Sequence, residues 1–418
     1  MIGAPTWQRL GAAFEFRWDM HRITLSSFRE SGGDLKAELA AEVMEGERWI
    51  PLSGLIIINL LAPRTRADTA RALTLRDDTF PWADAIEAVA VIAVREYRRG
   101  GPIVNLADIP CSEHVRYLMD RLLPEGETSI IFGDGEAGKS MFSMFVAVAM
   151  ATGYPLPHGI GPMDPGNVLY LDYESDVEEH ARRMKKIANG LGVDVPRNIF
   201  YRESHRPIHE EADALAKEVA ERDVQLIIVD SLAPACGDDP SAPGAAIATM
   251  NALRSLGGTR LAIGHVNKTD RDKPGSNQTT FGSIFWRNMT RSMWQLVPSQ
   301  DVNLDNTAPF GLYNRKSNNA ARERFPLGFR YTFSPDEYTL ESYQIDAASS
   351  VAVAASPTHR VFMALGNKSM DTNEIAEMLD MTPDATRKLL TRTSGLYQVY
   401  PGTVGRNGKP AIWGIRGQ

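Results

Sequence analysis

Apolar and polar residues alternate over Phe14-Glu15-Phe16-Arg17-Trp18, and apolar-rich runs follow at 21–28 and 35–44 with Ser31-Gly32-Gly33 between them. That is the period of half-buried strands joined by a tight turn, so a small antiparallel sheet is expected, followed by helices around 67–73 and 82–98. Gly100-Gly101-Pro102 and Pro110 then break the chain. From 127 to about 343 the pattern changes to short apolar runs separated by amphipathic stretches. Residues 130–132, 168–171, 199–201, 224–229 and 260–263 read as strands, and 141–150, 175–190, 210–222 and 245–256 as helices. Such βαβα order predicts a parallel sheet covered on both faces. Beyond a polar stretch after Thr269, further strands are expected at 293–297, 310–314, 327–333 and 338–343.

Residues 347–356, rich in Ala, Ser and Val, read as a linker. Helices at 358–365 and 372–379 follow, then a turn at Asp380-Met381-Thr382 and a third helix to about 391. Pro383 stands at its first position, where the missing N–H costs nothing. Strands at 397–400 and 411–415, joined by a Gly-containing loop, complete the pattern of a winged helix. The expected fold class is α/β, with an N-terminal α+β domain at 1–120, a nucleotide-binding domain at 121–346 and a winged helix at 357–418.

Composition narrows the setting. A chain of 418 residues exceeds one ordinary core, and 43% hydrophobic with 23% charged residues is the balance of a soluble globular protein. No apolar run has the length of a membrane span, and the N-terminus shows no secretory pattern. Cys111 and Cys236 stand too far apart to read as a metal-ligand pair or a disulfide framework, so reduced thiols in the cytoplasm are expected. The net charge of −7 argues against an indiscriminate nucleic-acid coat but allows a local basic channel.

The chemistry concentrates in Gly133-Asp134-Gly135-Glu136-Ala137-Gly138-Lys139-Ser140, set behind Ile130-Ile131-Phe132. This is the strand–GxxxxGK[ST]–helix signature of a phosphate-binding loop: glycines let the backbone curl so that N–H groups and a helix N-terminus face an anion. Lys139 is expected to reach the β/γ-phosphates of a nucleotide, and Ser140 to supply a hydroxyl to Mg²⁺. Leu226-Ile227-Ile228-Val229-Asp230 is an apolar strand ending in an acid, the form of a carboxylate that orients the Mg²⁺ shell. Several acids crowd the end of the strand before it, in Asp172-Tyr173-Glu174-Ser175-Asp176. Ser175 and Asp176 also fit a helix cap and Asp172 a turn, while Glu174 is the candidate to polarise an attacking water. His265, at the end of 260–263, is either a γ-phosphate sensor or a hydrogen-bonded core histidine.

Taken together, the phosphate loop, Leu169-Tyr170-Leu171-Asp172-Tyr173-Glu174, Val229-Asp230-Ser231-Leu232, Gly264-His265-Val266-Asn267-Lys268, Gly282-Ser283 and Arg291 resemble the RecA-type ATPases. In form they are most similar to the RepA-like hexameric replicative helicases, with the DnaB and KaiC groups more distant. The resemblance covers roughly 120–330. It implies ATP and Mg²⁺ as ligands, Glu174 as catalytic carboxylate, Asp230 as metal-organising aspartate and His265 as phosphate sensor. It also implies a homo-oligomeric ring, a hexamer in that family, in which a neighbour's late strand supplies basic residues to the ATP site.

Arg315 and Lys316 occupy that place, with Arg291 as the alternative, although Asn318 stands where the DnaB group has an Arg. Loops at 233–244 and 269–281 correspond to those facing single-stranded DNA in the ring channel, the second carrying Arg271 and Lys273 beside two acids. Arg387, Lys388, Arg392, Arg406, Lys409 and Arg416 make the C-terminal unit more basic, suiting either duplex DNA or a protein partner. Two functions are therefore open: an ATP-hydrolysing DNA motor or helicase, and a nucleotide-gated regulator or loader that does not translocate.

Overall fold

The structure, a computed structural model, describes residues 3–10, 13–99, 103–110, 112–266, 282–300, 306–318, 323, 325–346, 349–366, 368–403 and 409–415. Two compact units form, one from 1–114, 206–223 and 251–257, the other from 115–205, 224–250 and 258–418.

In the first unit, β1 (Thr6–Leu10), β2 (Ala13–Arg17), β3 (His21–Ser31), β4 (Asp34–Glu45), β5 (Arg48–Pro51) and β6 (Ile56–Asn59) build an antiparallel sheet of six strands among the described residues. The register sets Phe14 opposite Leu25 and Phe16 opposite Ile23, so the period-2 apolar positions share one face. Leu73 of α1 (Pro63–Thr74) and Ile86 and Val89 of α2 (Trp82–Arg99) close the core over that face.

The second unit opens with the hairpin β7 (Tyr117–Met119) and β8 (Leu123–Pro124). The nucleotide-binding pattern then unfolds as β9 (Thr128–Gly133), α3 (Lys139–Thr152), β10 (Asn167–Asp172), α4 (Val177–Leu191), β11 (Ile199–Glu203), α5 (Ile208–Glu221), β12 (Val224–Asp230), α6 (Leu232–Cys236), α7 (Pro243–Ser255), β13 (Thr259–His265) and α8 (Ile284–Met289). Four more strands follow: β14 (Ser292–Pro298), β15 (Thr307–Ser317), β16 (Leu327–Phe333) and β17 (Tyr338–Ser342).

Among the described residues these give a nine-stranded sheet in the order β11-β10-β12-β13-β9-β14-β15-β16-β17. The strands from β11 through β14 are parallel and the last three are added antiparallel. Every residue of β9 is buried, as parallel strands covered on both faces require. Helix α5 lies within this alternation in sequence yet belongs to the first unit, where the Ser27 N–H donates to Asp213 Oδ2 at 2.7 Å.

Two boundaries differ from expectation for physical reasons. Helix α4 is capped by Asp176, whose side chain accepts the Glu179 N–H, and it ends at Gly192 with φ of 67°. Gly190, expected to stop the helix, lies inside it: a Cβ there would meet the Tyr338 carbonyl oxygen at 2.1 Å, so this glycine serves close packing against β17. The expected linker at 347–356 is partly core, because Val351, Ala354 and Ala355 bury their small apolar side chains with Tyr313.

The C-terminal segment comprises α9 (Pro357–Leu365), β18 (Met370–Asp371), α10 (Thr372–Leu379), α11 (Pro383–Arg392), β19 (Leu396–Tyr400) and β20 (Ile412–Ile415), with sheet order β18-β20-β19. A reciprocal capping box between Asp371 and Glu374 starts α10. Thr382 caps α11, with Pro383 in its first turn. Val361, Leu365, Ile375, Leu379, Leu390 and Trp413 form its core. Among the described residues, no helix is long and apolar enough to cross a membrane.

Candidate functional site

The site collects at the carboxyl ends of β9, β10, β12 and β13, where crevices form in open parallel sheets. The loop between β9 and α3 turns through Glu136 at φ 62° and Gly138 at φ 89°. Both values lie in the left-handed region, which aims successive N–H groups into a concavity. Gly138 also admits Tyr331 beneath the loop: its hydroxyl donates to the Gly138 carbonyl at 3.1 Å, and a Cβ on residue 138 would meet the ring at 3.0 Å. Gly133 is equally confined, a Cβ there falling 2.5 Å from the Leu296 carbonyl oxygen.

Lys139 opens α3 with its side chain folded back, Nζ donating to the Asp134 carbonyl at 2.6 Å. Burial lowers its pKa, and the charges of Asp230, Glu174 and Asp134 oppose that fall. An ammonium held over a glycine-rich loop and facing carboxylates is poised for a polyanion.

Asp230 ends β12 and is 3% exposed. Burial pushes its pKa up, hydrogen bonding to Ser140 and Tyr170 counters, and the Glu174 and Asp172 charges push it further up. The Tyr170 hydroxyl donates to Asp230 Oδ2 at 2.7 Å. Ser140 stands close enough to lower the pKa, yet Asp230 Oδ1 is buried with no hydrogen-bond partner of ordinary geometry among the described residues. An orphaned carboxylate oxygen beside a helix-start hydroxyl fits a hard cation or its bound water.

Glu174 lies one turn beyond β10. Its Oε1 accepts the Ser231 hydroxyl and sits 3.5 Å from His265 Nε2. The His265 hydrogen bond, helped by Ser231 and by the Lys139 charge, outweighs burial and holds its carboxyl below the usual glutamate range. The side chains of His265 and Glu174 remain 36% and 44% exposed, so both open to the crevice. His265 stands opposite Gly133 in the β13–β9 register, which brings it beside the start of the phosphate loop. Asp172, the competing acid, is 1% exposed and turned away into hydrogen bonds with its own backbone neighbours.

Lys139, Ser140, Asp230, Glu174 and His265 are thus brought together, whereas Arg315 and Lys316 are not. Lys316 pairs with Met293, and Met293 with Ile130, so both basic residues attach at the sheet end away from the loop. Arg315 donates to Gln295 Oε1 at 2.7 Å and the Ala354 carbonyl at 2.8 Å, stacking over Tyr313. Lys316 caps the end of α8 through the carbonyls of Arg287 and Thr290. Burial lowers its pKa, as do Arg287 and Arg291. Arg291 shares that sheet end, its guanidinium half-exposed and 3.9 Å from Glu127.

The first expected channel loop, 233–244, is partly helical. Helix α6 takes its start, Asp238 and Asp239 are exposed, and the Pro240 carbonyl accepts the Ser283 N–H and Trp286 Nε1–H. Most of the second loop, with Arg271 and Lys273, and also Lys268, Arg406 and Arg416, lie outside the described residues. Sequence reasoning missed Tyr170, Ser231 and Tyr331 as site residues. Tyr170 and Ser231 both stand within the motifs quoted above, and period 2 along β10 puts Tyr170 on the same face as Asp172.

A family model described as an AAA domain matches residues 106–271. No curated protein matches the chain. Among solved structures, a KaiC-like protein from the hyperthermophilic archaeon Pyrococcus horikoshii OT3 is similar over 53% of this chain and 93% of its own, with 13% identity and a TM-score of 0.36. Within residues 106–271, the AAA match together with the loop geometry supports a P-loop domain of the nucleotide-hydrolysing kind.

Proposed function

We propose that this chain is a RecA-type, Mg²⁺-dependent ATPase that assembles into a ring and acts on DNA as a helicase or DNA-dependent motor. The carrying observation is the convergence of Lys139, Ser140, Asp230, Glu174 and His265 on one crevice, with β13 standing between the loop strand β9 and the acid strand β12. In this reading the loop N–H groups and Lys139 bind the phosphates, and Ser140 with Asp230 hold the cation. Two protein oxygens are enough for Mg²⁺, a cation that takes most of its oxygens from phosphate and water. Bound Mg²⁺–ATP supplies the electrophilic γ-phosphoryl group. Glu174, kept ionised, takes a proton from the attacking water. His265, 3.5 Å from Glu174 and next to the loop, senses the phosphate.

Basic residues at the far end of the sheet serve phosphate only on a neighbouring copy. Of the three, Arg291 is the least committed to its own chain, and it becomes the preferred trans finger over Arg315 and Lys316. Arg291→Ala subunits should have little ATPase activity alone. Mixed with Lys139→Ala subunits, they should recover part of it at junctions pairing an intact loop with an intact Arg291. Steady-state assays of mixed assemblies check this, and full activity from a strictly monomeric protein would refute it.

The C-terminal segment reads as a winged helix, with Arg387, Lys388 and Arg392 exposed on α11. If α11 meets duplex phosphates, neutralising these residues should weaken binding and flatten the log–log salt dependence by about 0.9 for each phosphate left without its cation. Fluorescence anisotropy across a salt series measures that slope.

A second reading, a nucleotide-gated regulator or loader without translocation, is favoured by the acidic, pinned loop at 233–244, which is poorly suited to tracking phosphates. ATPase rates with and without single-stranded DNA, followed by strand displacement with Lys139→Ala as control, separate the two. Stimulation plus unwinding supports the motor, and DNA binding with neither supports the regulator.

A further inference from the structure

Below the crevice lies a buried polar cluster for which the proposed reaction has so far no use. Asp172 ends β10 directly opposite Asp230 in the β10–β12 register. Its Oδ1 accepts the N–H groups of Glu174 at 3.0 Å and Ser175 at 3.1 Å. Its Oδ2 accepts the Tyr201 hydroxyl at 2.9 Å and lies 3.3 Å from His180 Nδ1. The His180 ring packs edge-on against Tyr170, centroids 4.7 Å apart, and Tyr170 donates to Asp230. The backbone is pinned as well, the Tyr173 N–H donating to the Asp230 carbonyl at 2.7 Å and the Ser204 N–H to the Asp172 carbonyl at 2.8 Å. One cluster therefore touches both acids of the crevice, Asp230 through Tyr170 and Glu174 through its backbone.

We propose that Asp172 is a positioning residue for Glu174: its carboxylate holds the turn that aims the Glu174 side chain at Ser231 and His265. This rests on reading Glu174 as the general base. The physical ground is that Glu174 itself sits outside regular structure and half-exposed, so that the bonds from Asp172 to the turn, with the neighbouring Tyr173 N–H bond and the contacts to Ser231 and His265, set its direction. A misplacement of about 1 Å in a reacting group costs on the order of 10²-fold in rate. Tyr201 and His180 occupy the second Asp172 oxygen and keep the carboxylate from rotating.

The test uses the full chain and compares Asp172→Ala with Asp172→Asn for kcat, KM for ATP, nucleotide affinity and Tm. Asn keeps an oxygen that accepts both amides and an amide that can donate to Tyr201. Asp172→Ala should lose roughly 10- to 100-fold in kcat with KM and affinity changed less than about twofold, while Asp172→Asn should retain most of the rate. In an Asp172→Ala/Glu174→Gln double variant, no further loss beyond Glu174→Gln is expected, because both act on one step.

Wild-type kcat in folded Asp172→Ala overturns the inference. So does an Asn variant as impaired as Ala with matching loss of Tm, the mark of a merely structural group. Should Asp172→Ala not fold, Tyr201→Phe decides: a few-fold fall in kcat at constant KM upholds the inference, and an unchanged kcat overturns it. If Glu174→Gln itself turns over normally, the general-base reading fails first. If Glu174→Gln is inactive and Asp172→Ala is not impaired, only the positioning role falls.

Discussion

Replacing Glu174 by Gln should slow ATP turnover by about 10²- to 10⁴-fold, while nucleotide affinity should stay within a few-fold of the parent. The substitution keeps size and hydrogen-bonding capacity toward Ser231 and His265 but removes the basic oxygen. Binding should be spared, since in the proposed reading the loop and Lys139, not Glu174, hold the phosphates. The pH profile adds a second readout. A general base works deprotonated, so kcat falls as pH drops through its pKa. Because His265, Ser231 and Lys139 lower that pKa, the acid limb should lie below the ordinary glutamate range. His265→Gln removes the first of these influences and should move the limb to higher pH. Single-turnover hydrolysis with parallel equilibrium titration checks both, and near-normal turnover in Glu174→Gln would remove Glu174 as the general base.

Lys139→Ala should act the opposite way, on binding itself. A charge-assisted hydrogen bond to phosphate is worth about 1.5–3 kcal/mol, or roughly 10- to 150-fold in Kd. The free protein loses the bond from Nζ to the Asp134 carbonyl and the attraction of the nearby Asp230 and Glu174 carboxylates, and should stay folded. Calorimetric titration measures the change. Thermal denaturation gives an independent reading, since ligand at 100 times Kd stabilises by about 2.7 kcal/mol and the variant should lose most of that gain at the same concentration. An unaltered Kd would mean that the loop backbone alone carries the phosphate.

Much of the site was legible because its rules are local. The phosphate loop needs left-handed backbone at 136 and 138 and a helix starting at Lys139, and the order of glycines encodes all of that within eight residues. Asp230 announced itself as the acid closing an apolar run, and the β-rich N-terminal pattern yielded its sheet through period 2 alone. Two readings made from local residue type went astray. Gly190 looked like a helix stop because glycine usually is one, whereas the approach of Tyr338 from 148 residues further along requires the missing side chain. The run at 347–356 looked like a linker because small residues are common in linkers, but they also fill shallow cores, and here Tyr313 supplies the other wall.

The sequence by itself determined that the chain carries a phosphate-binding strand–loop–helix, an acid-tipped strand and an alternating α/β order, since backbone φ preferences and side-chain period depend only on neighbours. The tertiary structure alone decided which acid faces the crevice. Asp172 and Glu174 are two residues apart and chemically alike, yet Tyr201 and His180 draw one inward while Ser231 and His265 draw the other out. It also decided the standing of the basic residues: strand register sets Arg315 and Lys316 at the far end of the sheet, bonded to Gln295, Ala354 and the end of α8, and leaves Arg291 more open. Hydrogen-bond partners tens of residues away leave no trace in local pattern, so direction and availability of a side chain emerge only when the sheet is assembled.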